Sequence, residues 1–126
     1  MVVVGGGIMG TSTLYHLARA GCTDAVLIER ETLGAGSTSK SAGGFRAQFS
    51  DELNIRIALE SIGRLERFGE EPGTDIDFKQ WGYLFLLREG EVDAFARSVE
   101  LQNSLGVPSR LIGPEEAAQI VPQLFV

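Results

Sequence analysis

The chain has 126 residues, 44% of them apolar and 22% charged, the composition of one soluble globular domain large enough to bury a core. Seventeen acids against eleven bases leave a formal charge of −6, so the chain lacks the basic face that a nucleic-acid partner requires. A single cysteine, Cys22, and a single histidine, His16, rule out an internal disulfide and a zinc cluster, and a lone thiol suits a reducing interior such as the cytoplasm.

In chain order, Val2-Val3-Val4 predicts a short buried strand of β-branched residues. Glycines at 5, 6, 7 and 10 make a turn, and "IMGTSTLYHLARAG" predicts a helix closed by Gly21. "AVLIE", Ala25 to Glu29, predicts a second buried strand, so strand, helix and strand form a βαβ unit. An irregular segment follows from Arg30 to about Ser50. Ser50-Asp51-Glu52 then opens a helix whose stripe is Ile55, Ala58, Leu59, Ile62 and Leu65. "EEPGTDIDF" is rich in turn residues and marks an organisational break, which divides the chain into residues 1–71 and 72–126. Beyond it, "WGYLFLLR" predicts a strand headed by Trp81 as a packing anchor. Val92, Phe95, Ala96 and Val99 predict a helix, and Pro114 with Glu115 and Glu116 opens a last one that ends before Pro122. "MVVVGGG" lacks the basic leader of a secretory signal, and no run approaches the roughly 18 apolar residues of a membrane span. The first strand starts almost at residue 1 and "IVPQLFV" has no polar tail, so both ends read as cut.

Gly5, Gly7 and Gly10 stand in the spacing G-x-G-x-x-G. The first permits a tight turn, the second lets a pyrophosphate approach the backbone, and the third brings helix against strand. An anion would then lie on free amides at the positive end of the helix. Glu29 ends the second strand, 19 residues after Gly10, where a carboxylate can accept hydrogen bonds from ribose hydroxyls. Either NAD or FAD would be served by this arrangement. The segment "GAGSTSKSAGGFRAQFS" adds amides, hydroxyls and the cations Lys40 and Arg46, with no acid, and long irregular segments in compact domains tend to be functional.

Taken together, "VVVGGGIMG", "LARAG", "VLIER" and "LGAGSTSKSAGGFRAQF" resemble the FAD-dependent amino-acid oxidase and dehydrogenase family, in its branch of sarcosine oxidase beta subunits and dimethylglycine dehydrogenases. "WGYLFLLREGE" and "GVPSRLIGPEEAAQIVPQL" carry the resemblance through most of the chain. It implies an α/β fold: a Rossmann-like FAD-binding βαβ core with the beginning of a mixed-sheet substrate domain. Residues 1–71 would be the first segment of the FAD-binding domain and 72–126 the incomplete start of the substrate domain, in a longer protein.

By the same resemblance Gly5, Gly7, Ile8 and Gly10 line the pyrophosphate, Glu29 holds the adenosine ribose and Arg30 lies beside the adenine. Ser37 and Thr38 touch phosphate, and Gly43, Gly44 and Phe45 approach the flavin through their backbones. Arg46 matches a position near flavin or substrate carboxylate, and a structural ion pair is the competing reading. Dimethylglycine dehydrogenase-like members carry in this loop a histidine that bonds covalently to flavin. Lys40 stands there instead, so the expected FAD is non-covalent. The implied reaction oxidises a small secondary or tertiary amino acid such as sarcosine, with hydride transfer from the carbon beside nitrogen to the flavin and hydrolysis of the imine. No residue stands out as its acid or base, and the acids of "SDELNIRIALE" have an adequate reading at a helix start. A non-catalytic nucleotide-binding subunit and a plain NAD-binding fold are the alternatives. An incomplete sheet edge would favour a homo- or hetero-oligomer. His16 reads as a surface residue of the first helix and Cys22 as a bystander.

Overall fold

A computed structural model describes residues 1–125, which form two compact units, Met1–Gly44 and the residues from Phe45 onward. In the first unit, β1 (Val2–Val4), α1 (Ile8–Arg19) and β2 (Val26–Ile28) make the expected βαβ unit. The strands pair in parallel with Val3 opposite Leu27. Parallel neighbours need a crossover, and α1 supplies it.

The helix ends as its sequence dictates. Gly21 adopts φ +88°, which a β-carbon would resist, and its N–H donates to Ala18 while that of Cys22 reaches back to Leu17. Val3 and Leu27 turn toward α1, whereas Val2, Val4, Val26 and Ile28 lie on the opposite, exposed face. The expectation of buried strands is therefore corrected, since one face of each is exposed. In this unit α1 is the one helix, and it covers one side of the sheet.

The second unit opens with α2 (Glu52–Glu66), capped as its sequence predicts. The Asp51 carboxylate accepts from the Asn54 backbone N–H at 2.9 Å and from its side-chain amide at 2.8 Å. Ion pairs Glu52–Arg56 and Glu60–Arg64, one turn apart, brace its solvent face. Its apolar stripe packs on α3 (Val92–Ser104) through Ala58, Leu59, Ile62, Leu101 and Leu105, around Ala47, Val107 and the fully buried Ile55. Gln102 is buried too, and its amide donates to the Phe49 carbonyl at 2.9 Å, so its polar head is satisfied. A positive φ at Gly106 closes α3 in the manner of Gly21. The last helix, α4 (Pro114–Ile120), has Pro114 at its first position and stops before Pro122.

One element departs from expectation. "WGYLFLLR" carries no strand pairing, and among the described residues β1 and β2 alone form a ladder. Strand propensity is realised only through cross-strand partners, and none lies alongside. Trp81 is correspondingly 86% exposed rather than an anchor. His16 is exposed against Tyr15, and the Cys22 thiol donates to Asp24.

Candidate dinucleotide site

The glycine turn is built by three kinds of constraint. Gly5 has φ +103° and donates its N–H to the Ile28 carbonyl at 2.8 Å, which ties the turn to the end of β2. At Gly10 a β-carbon would lie 1.8 Å from the Gly5 carbonyl oxygen, so the entry of α1 rests directly on the turn. Gly6 was not among the residues expected from the motif, which leaves its position free. Yet a β-carbon there would meet the Leu33 side chain at 2.6 Å and the Glu29 stem at 3.0 Å. Its carbonyl also accepts from the Gly34 N–H at 2.9 Å. Gly6 is thus clasped between the end of β2 and the following loop.

Two side chains occupy amides of the turn. Glu29 accepts from the Gly6 N–H at 2.6 Å and, through its other oxygen, from the Glu31 N–H at 2.9 Å. The Gly6 contact, followed by the Glu31 contact, holds the Glu29 carboxyl below its ordinary value of 4.5, against a smaller opposing effect of desolvation. Each oxygen keeps a lone pair for a further donor, so a carboxylate anchored in this way can still accept ribose hydroxyls. Thr38 accepts from the Ile8 N–H at 3.0 Å and leaves its own hydrogen free to donate. The amides of Gly7, Met9 and Gly10 have no acceptor among the described residues, as the first turn of a helix dictates.

The structure thus gathers Gly5, Gly7, Ile8, Gly10, Glu29 and Thr38 into one cradle. Arg30 is exposed and pairs with Glu31 at 3.5 Å. Ser37, Lys40, Gly43 and Gly44 lie on the exposed loop of the same unit, with Gly43 at φ +68°. Phe45 and Arg46 belong to the second unit. Phe45 stacks on Phe78 with centroids 5.9 Å apart. Arg46 lines a cavity of about 760 Å³ together with Phe49, Tyr83, Phe85 and Phe95. The ion pair weighed for it is not formed among the described residues, and its guanidinium faces aromatic rings instead.

A βαβ unit with this turn, this acid and this loop matches a known family from end to end: the FAD dependent oxidoreductase (DAO) family model covers residues 1–126. The chain belongs to that family. It is 38% identical over 125 residues to "Dimethylglycine dehydrogenase, mitochondrial" of Rattus norvegicus and 33% identical over 128 residues to "Sarcosine dehydrogenase, mitochondrial" of Homo sapiens. These alignments take in 98% and 100% of the chain. Among solved structures it resembles L-proline dehydrogenase from P. horikoshii, with a TM-score of 0.86 and 46% identity over 96% of the chain. The chain spans 14% of the length of each of those two curated relatives and 32% of the proline dehydrogenase chain.

The cradle fits the family's cofactor. The open amides at the start of α1 and the Thr38 hydroxyl present donors to a pyrophosphate, the bare backbone at Gly7 lets it approach, and Gly10 lets α1 start directly on the turn. Among the described residues no group of acids, histidines or cysteines is placed to hold a metal ion, and no helix is long and apolar enough to cross a membrane.

Proposed function

We propose that the chain is the FAD-binding N-terminal part of an oxidoreductase that oxidises the C–N bond of a small secondary or tertiary amino acid, sarcosine being the simplest such substrate. The observation that carries the reading is the cradle itself, with Gly10 against Gly5, Thr38 on the Ile8 amide and Glu29 at the end of β2. FAD, when bound, supplies the two-electron acceptor that converts the amine to an imine, which water then hydrolyses. The residues of this chain bind and orient. The Gly7, Met9 and Gly10 amides neutralise pyrophosphate charge, Glu29 fixes the ribose, Ser37 and Thr38 donate to phosphate, and Arg30 lies beside the adenine. Gly43, Gly44 and Phe45 bring backbone close to the flavin. Arg46 offers a cation to a carboxylate or to the flavin. Lys40, in place of a flavin-linking histidine, makes the complex non-covalent.

In this reading residues 1–71 belong to the FAD-binding domain and 72–126 to the start of the substrate domain. The names of the relatives, which act on dimethylglycine, sarcosine and L-proline, support an amino acid whose nitrogen carries at least two carbon substituents. The single free thiol suits a reducing compartment such as the cytoplasm, and the exposed sheet face suits a homo- or hetero-oligomer. Because this chain alone is too short to turn over substrate, the test is anaerobic addition of sarcosine, dimethylglycine or L-proline to the flavin-loaded whole oxidoreductase of which the chain is a part. Bleaching of the oxidised flavin band by at least one of them is expected. Bleaching by none, with flavin bound, leaves the non-catalytic nucleotide-binding subunit as the better reading.

A further inference from the structure

Most arginines with a resolved partner in this chain use a carboxylate: Arg56 with Glu52, Arg64 with Glu60, Arg30 with Glu31 and Arg110 with Glu116. Arg46 does not. Its guanidinium carbon lies 4.9 Å from the ring centre of Phe85, 5.2 Å from that of Phe49 and 6.0 Å from that of Tyr83. We propose that Phe49, Tyr83 and Phe85 form an aromatic cage whose purpose is to position Arg46 at the cavity wall while leaving its donors unspent. What the held cation contacts, an anionic group of substrate or cofactor, rests on the function proposed above.

The cage is braced independently of the arginine. Phe85 stacks on Tyr83 at 5.9 Å and leans on Phe95 of α3 at 6.2 Å. The Gln48 amide donates to the Tyr83 carbonyl at 3.2 Å, and Gln102 fixes the Phe49 carbonyl from α3. The Tyr83 and Phe85 rings thus have packing partners besides the cation, and the backbones of Phe49 and Tyr83 are tied by side-chain amides. An aromatic face attracts a guanidinium through its quadrupole without consuming N–H groups, whereas a carboxylate partner would neutralise the charge and take two of the five donors. A planar guanidinium stacks on rings while its edge stays available, which a lysine ammonium cannot reproduce. Phe49, Tyr83 and Phe85 are thus positioning residues.

The test uses the 126-residue chain, labelled with 15N, and follows the Arg46 Nε–Hε resonance, assigned by its loss in Arg46→Lys. Ring faces shield protons above them, so this signal should lie upfield of the other arginines. Phe85→Leu should move it toward them, Phe85→Tyr should leave it in place, and Phe49→Leu provides the same test should Phe85→Leu fail to fold. Sodium acetate is then titrated. Wild type should respond at Arg46, Phe85→Leu should need several-fold more acetate, and Phe85→Tyr should restore the response. An unshielded signal, or one that both leucine variants leave unmoved, overturns the cage. A shielded signal that ignores acetate upholds the cage and refutes the anion-binding role assigned to Arg46.

Discussion

Gly10→Ala should damage the cofactor site although alanine is the better helix former. Gly10 lies in the first turn of α1, and relief of glycine's conformational entropy alone would favour the substitution by about 1 kcal/mol. The new β-carbon, however, would stand 1.8 Å from the Gly5 carbonyl oxygen and 3.0 Å from its carbonyl carbon. Carbon–oxygen contacts ordinarily begin near about 3.3 Å, so turn and helix must separate by roughly 1.5 Å. Gly5 cannot yield freely, because its N–H is held by Ile28. Overpacking of this kind costs about 1–3 kcal/mol, and a clash against backbone belongs at the upper end. The net loss of stability is about 2 kcal/mol, and FAD should bind more weakly as well, because separating turn from helix displaces the amides that face the pyrophosphate. FAD titration by flavin fluorescence, paired with thermal unfolding by circular dichroism, reads both effects. Gly36→Ala is the control, because its β-carbon would meet nothing within 4 Å. Gly10→Ala binding FAD as tightly as wild type, with unchanged melting, would refute the account of the turn.

Thr38→Val removes the acceptor of the Ile8 amide and should weaken FAD by about fivefold, near 1 kcal/mol, in the same titration. An unchanged dissociation constant would show that the hydroxyl does not serve the cradle. The Glu29 carboxyl is depressed by the Gly6 and Glu31 amides, so its stabilising contribution is present above its ordinary value of 4.5 and is lost as pH falls through the lower folded value. Melting of wild type should therefore fall more steeply on acidification than that of Glu29→Gln. Asp51, held low by the Asn54 backbone N–H and then by its side chain, titrates in both proteins and cancels. Parallel curves would contradict the Glu29–Gly6 link. Ile55→Ala empties the one fully buried large side-chain site among the described residues and should cost about 3 kcal/mol in urea unfolding, and a loss under about 1 kcal/mol would mean that the second unit's core lies elsewhere.

What could be read from the sequence divides along a physical line. Local signals translated directly. The 3.6-residue stripe of α2, the Asp51 cap, Pro114 at the start of α4 and the glycine ending α1 all depend on neighbours within about one turn. The cradle was legible for a related reason, since its glycines, strand end and helix start lie within one βαβ unit. Features that depend on distant partners were not. "WGYLFLLR" has strand composition but no ladder, because pairing is a property of two segments. Gly6 occupies a nominally free place in the motif, and the approach of Leu33 and Glu29 alone reveals its constraint. The sequence leaves Arg46 open to a ligand or an ion pair, because its neighbours Tyr83 and Phe85 lie far along the chain. Thr38 was placed on phosphate by resemblance, and the structure adds its contact with the Ile8 amide.

The central claim is that the first unit is a cradle for FAD held without a covalent bond. Its most direct test is the visible spectrum of the protein, purified and then supplied with FAD, before and after denaturation and filtration. The account predicts a bound oxidised-flavin spectrum that passes wholly into the filtrate once the chain unfolds. Flavin retained on the unfolded chain would contradict the reading of Lys40, and failure to bind FAD at all would contradict the cradle.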